Sequence, residues 1–210
     1  MNEFIHIMGF PLLACLILTG IHAYLGLHVI ERQVIFVDLA LAQIAVLGSG
    51  FALLFGYDMD TIQSYWLSLG FTVLGAFLFS LFRFKKQRIP QEALIGISYA
   101  VSSALLIILL SRFGEGDEHI RQALAGNVLL VSPQEVLKVA LIYALIGIVH
   151  YVCHRPFFMI TQGHGEGLSV QSISKKSLNV RWWDFLFYVS FGMVVTSSVR
   201  IVGVLLEFIS

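Results

Sequence analysis

Six apolar stretches, separated by short polar gaps, account for most of the chain: Phe4–Ile30, Val34–Gly56, Ile62–Phe82, Ala93–Ser111, Val136–His154 and Phe185–Ile209. Each is close to the ~20 residues that a helix needs to cross the hydrocarbon core of a bilayer. The pattern predicts an all-α fold, a polytopic helical membrane bundle of about six transmembrane helices forming a single domain over residues 1–210. The first stretch lacks a basic start and a small-residue cleavage pattern, so it reads as a retained helix rather than a signal peptide.

Composition agrees with this reading and narrows it. Hydrophobic residues make up 58% and charged ones 12% of the 210 residues, more apolar surface than a soluble domain of this size can bury. Function must then lie across or within a membrane: transport, signalling, electron transfer or intramembrane chemistry. The two cysteines, Cys15 and Cys153, both sit in apolar stretches and make neither a disulfide framework nor a zinc site by spacing.

Charge placement sets the orientation. Arg83, Lys85, Lys86 and Arg88 crowd the gap between the third and fourth stretches; Arg155, Lys175, Lys176 and Arg181 lie between the fifth and sixth. The gap around Gly56–Asp60 has two aspartates and no basic residue. Basic loops face the cytoplasm, which puts the N-terminus outside and Glu31–Arg32 inside. The scheme predicts that an impermeant reagent on intact cells labels a tag at Asp58 and misses tags at Lys86 and Lys176. Labelling at Lys176 would overturn it. The connection Phe157–Arg181 is the cytoplasmic loop with room for structure, loosened at its start by Gly163, Gly165 and Gly167 and ending at the interfacial pair Trp182–Trp183.

Within the spans, polar residues are the candidates for chemistry. Asp38 lies in the second stretch, where a carboxylate must face the bundle, a partner or water. At helical spacing its face runs through Ala42, Ala45, Ser49 and Ala52, which is either a close-packed seam or the wall of a cation route. Gln43 is about 140° round an ideal helix from Asp38 and joins it at one cavity only through a π-bulge. In the first stretch Cys15, Thr19, His22 and Gly26 form a stripe: His22 with Cys15 offers two ligands to a soft divalent metal, or His22 bonds to a neighbouring helix. His150 and His154, four apart, share a helix face and read as an interfacial pair. There is no Walker phosphate loop, no GxSxG and no HExxH, so the chain is not expected to be an enzyme and active transport would need an energy-supplying subunit. No aromatic-basic face suggests nucleic acid.

Three regions carry a resemblance: GIHAYLGLHVIERQVIFVDLALAQIAVLG at 20–48, IPQEALIGISYAVSSALLIILLS at 89–111 with GEGDEHIRQALAGNVLLVSPQEVL at 114–137, and VRIVGVLLEF at 199–208. Together they resemble the permease subunit of ATP-binding-cassette importers for zinc, manganese or iron. The resemblance implies a multi-pass protein of the bacterial inner (plasma) membrane, working as a homodimer or heterodimer of permeases. It also implies a cytoplasmic ATP-binding-cassette ATPase that uses the ATP, an extracytoplasmic metal-binding protein, and a divalent metal as cargo with no permanently bound cofactor. In such permeases an Asp and a His four apart on the second helix line the metal route; here Gln43 falls where the histidine would align and Asp38 stands one position early. The pathway residues implied are therefore Asp38, Gln43, Ser49 and His22, with Asp38 as the metal contact. Gln43 in place of histidine would turn preference from zinc toward manganese or iron. A coupling helix touching the ATPase is implied within residues 168–180, with Leu168, Val170 and Ile173 as apolar knobs and Lys175 and Lys176 at the rim. The family's Val-Gly-Val-Leu-Leu stretch continues into further helices, whereas this sequence stops at Ser210, so the resemblance implies a C-terminally shortened permease, transport-active or inactive. The rival reading is a b-type cytochrome subunit with His22 and His150 as axial haem ligands.

Overall fold

The structure, a computed structural model, describes residues 2–59, 61–81, 90–113, 131–165 and 179–207. Among these residues there are seven helices and no strand: α1 (Asn2–Glu31), α2 (Val37–Leu54), α3 (Ile62–Leu81), α4 (Gln91–Leu110), α5 (Pro133–Val152), α6 (His154–Gly165) and α7 (Val180–Glu207). All but α6 are long and apolar enough to cross a membrane. The fold class is as the apolar pattern predicts.

Local chemistry sets the ends. α2 closes in a Schellman turn: Tyr57 N–H donates to the Ala52 carbonyl at 3.1 Å and Gly56 N–H to Leu53 at 3.0 Å. Gly56 takes the required positive φ of 77°, which glycine adopts without strain. α5 starts at Pro133, ahead of the expected Val136, because Ser132 and Glu135 form a reciprocal capping box with proline in the first turn. α4 is anchored by its first residues. Glu92 accepts from Phe36 N–H at 2.8 Å, and the Gln91 amide donates to the Phe79 carbonyl and the Tyr188 hydroxyl.

Three expectations are corrected between the fifth and last spans. Residues 157–165 are not the loosened start of a loop but part of helix α6, which buries Phe157, Ile160 and Thr161 and extends through Gly163 and Gly165. The last span begins at Val180 rather than Phe185, so Trp182, Trp183 and Asp184 are helical. His150 and His154 do not share a face either. Pro156 has no N–H to continue the ladder, the helix breaks at Cys153, and the two histidines end up on different helices, one buried and one exposed.

α2 is the centre of the bundle. It packs against α3, α4 and α7, while α1, α5 and α6 gather on α7 from another side. Small and hydroxyl side chains let these helices approach closely, as expected where lipid gives no hydrophobic drive between helices. α3 buries Ser64, Ser68, Thr72, Gly75 and Ala76. The Ser68 hydroxyl donates to the Ala45 carbonyl at 2.6 Å, and Thr72 and Thr196 share a hydrogen bond of 2.9 Å between α3 and α7. A methyl group at Gly192 would collide with the Thr72 side chain. Near its end α7 leaves helical geometry at Gly203, where φ is 75°.

Candidate functional site

Residues 40–50 of α2 are buried without exception, on every side of the helix. A transmembrane helix enclosed all round is shielded from lipid, so it can carry polar groups that a lipid-facing helix cannot. Asp38 stands in its first turn, half-buried with carboxylate oxygen Oδ1 fully inside, where the positive end of the helix dipole favours an anion. Gln43 is 5% exposed, and its Oε1 has no hydrogen-bond partner among the described residues. Ser49 is buried a turn and a half further along. α2 is α-helical throughout Val37–Leu54, with no π-bulge, so Asp38 and Gln43 point to different sides of it.

The small-residue face divides in its contacts. Ala45 and Gly48 meet α3, whose Ser68 lies against both. Gly50 meets Leu106 and Leu109 of α4. Gln43, seven residues before Gly50 and so almost the same way round, belongs to the α4 side.

His22 is buried on α1, which packs mainly on α5, α6 and α7, and its Nδ1 lies 2.8 Å from the Leu18 carbonyl of its own helix. Cys15 is exposed and does not join His22 in the interior. His150 shares a 2.7 Å hydrogen bond with Ser190 through Nε2 and a 3.4 Å one with the Tyr24 hydroxyl through Nδ1, and its ring stacks on Phe157. Both of its ring nitrogens are thus engaged in hydrogen bonds to neighbouring helices. Among the described residues no group of three or more His, Cys, Asp or Glu side chains is placed to hold a metal ion. Leu168, Val170, Ile173, Lys175 and Lys176 lie outside the described residues.

A polar cluster that the sequence reading passed over joins α1, α6 and α7. Arg32, 3% exposed, donates from Nη1 to Asp184 Oδ1 at 2.9 Å and from Nε to Thr161 Oγ1 at 3.1 Å, and its guanidinium carbon sits 3.8 Å from the centre of the Phe187 ring. A signal for it was present: counting spans puts Arg32 and Asp184, opposite charges, at the same end of the bundle.

The ABC 3 transport family matches residues 5–208. No curated protein matches the chain in sequence. Among solved structures it is similar to PsaBC from Streptococcus pneumoniae in complex with Fab, at a TM-score of 0.72 and 18% identity, over 97% of this chain and 69% of that one. At that identity the likeness is one of fold.

Proposed function

Since the chain belongs to the ABC 3 transport family, we propose that this multi-pass membrane permease imports a divalent metal ion, zinc, manganese or iron. The observation that carries the proposal is the burial of the Asp38 carboxylate oxygen, Gln43 and Ser49 on the enclosed helix α2. A carboxylate oxygen and an unpartnered amide oxygen are hard ligands, suited to passing a divalent cation. Conduction requires contacts that admit an ion without trapping it, so a sparse run of oxygens suits a route better than a closed ligand cage. Asp38 is the metal contact at one end and Ser49 follows on the same face of α2, while Gln43 on the α4 side and His22 on α1 are the peripheral members.

The work of transport would come from a cytoplasmic ATP-binding-cassette ATPase meeting residues 168–180, while an extracytoplasmic metal-binding protein delivers the ion and a second permease completes the pore. The test is uptake of radioactive zinc, manganese and iron by vesicles containing this chain and a co-expressed ATPase, with ATP supplied inside. At least one metal is expected to accumulate in an ATP-dependent manner, and a cysteine at Ile173 is expected to crosslink to the ATPase. No ATP-dependent uptake of any of the three, from a complex that assembles, would defeat the proposal.

A further inference from the structure

We propose that Arg32 is a positioning residue of the transport cycle, fastening the ends of α1, α6 and α7 into one body that moves as a unit. The inference rests on the permease reading above and deepens it. Its basis is the divided reach of one guanidinium. Thr161 lies four residues before the end of α6 at Gly165, and Asp184 four residues after the start of α7 at Val180. Arg32 follows directly on the last residue of α1, Glu31. One side chain thus holds both helices that the chain joins through residues 166–179, and holds them to a third.

The planar fork of arginine can donate in two directions at fixed angles, which a lysine ammonium cannot do with the same definition. The pair with Asp184 is buried on both sides, at 0% and 2% side-chain exposure. Such a pair contributes little net stability over apolar residues of similar volume, because desolvation offsets attraction. Its use is better sought in fixing one arrangement of the helices. The surroundings extend the hold: Thr161 Oγ1 also shares a 3.0 Å hydrogen bond with His28 Nδ1, and His28 lies edge-on to Phe187 of α7 at 5.9 Å. One turn further in, Tyr24 reaches His150 of α5, and His150 reaches Ser190 of α7.

The experiment places spin labels at Leu27 of α1 and Trp182 of α7, both exposed, in the permease–ATPase complex, and measures their separation with and without a non-hydrolysable ATP analogue. With Arg32 present the separation is expected to stay constant on nucleotide binding; in Arg32→Met it is expected to change. Uptake per ATP hydrolysed is expected to fall between about twofold and thirtyfold, the range typical of altered coupling networks, with the amount of bound ATPase unchanged. Arg32→Lys, which keeps the Asp184 arm, is expected to recover part of the loss. Should Arg32→Met fail to accumulate, Thr161→Val, which removes only a hydroxyl, is expected to lower the same ratio. A separation that behaves alike in the original chain and in Arg32→Met, or a Thr161→Val ratio equal to that of the original chain, would overturn the clamp. A proportional loss of uptake and ATPase activity would also overturn it, because it marks a purely structural role. An unmutated chain that holds the separation constant but carries none of the metals would defeat the metal reading and leave the clamp standing.

Discussion

Gly48→Leu is expected to lower the thermal midpoint and the yield of folded permease sharply, while Gly70→Leu, one helix away, leaves both unchanged. A Cβ at Gly48 would lie 2.7 Å from the Ser68 Cα and 3.0 Å from the Leu67 carbonyl oxygen, both backbone atoms that cannot rotate aside. The α2 and α3 axes would have to separate, and the 2.6 Å hydrogen bond from Ser68 to Ala45 would be lost with them. Overpacking by single methylenes costs about 1–3 kcal/mol, and a leucine adds several at a contact that admits none. Gly70 has nothing within 4 Å of its built Cβ and faces outward, where leucine suits lipid. Thermal midpoints of the detergent-solubilised variants, followed by size-exclusion chromatography, make the comparison. Equal midpoints for the two variants would show that the α2–α3 contact is not as close as described.

Asp38→Ala is expected to reduce metal uptake by about tenfold or more while the protein level holds or rises. Asp38 is the only acid in α2. Placing an aspartate in the middle of a membrane helix costs about 2.5–3.5 kcal/mol on insertion scales, less near the ends, so removing it should not impair insertion. Asp38→Asn keeps the shape, removes the charge, and should match the alanine variant if charge attracts the ion. Gln43→His exchanges an oxygen ligand for a nitrogen one and should shift preference toward zinc if the side chain faces the route. Normal uptake by Asp38→Ala at normal abundance would make Asp38 a packing residue.

The spans were legible because the length of an apolar run is read directly, whereas the way round a helix faces is not. The beginnings of α4 and α5 lie within a few residues of the apolar boundary, but the capping pair Ser132 and Glu135 and the anchoring residues Gln91 and Glu92 are polar, so hydropathy alone leaves them outside the spans. α6 was hidden for a related reason. Its glycines and histidines suggest a flexible connection, and only burial of Phe157, Ile160 and Thr161 against the bundle shows why a helix persists there. Pro156 was the local sign that His150 and His154 part company. In the candidate site, Asp38 and Gln43 stood out as polar residues in lipid-length sequence, and helical geometry foresaw that they diverge. The Arg32–Asp184 pair did not stand out, because each residue sits near the end of a span where charge is cheap, and 152 positions separate them. Contact between distant residues is a property of the packed bundle rather than of any stretch of sequence.

The enclosure of α2 has a consequence for biogenesis. Helices leave the translocon in chain order, and α7, one of the three walls around α2, is synthesised after all the others described here. Until it arrives, the Thr72 hydroxyl and the side of α2 that α7 covers face lipid or a passing chaperone. The bond that closes α3 onto α7, Thr72 to Thr196, joins positions 124 residues apart. The nascent protein therefore spends most of its synthesis as inserted but unassembled helices, the state most open to membrane proteases. A variant that slows the docking of α7 is therefore expected to lower abundance even where every described span inserts.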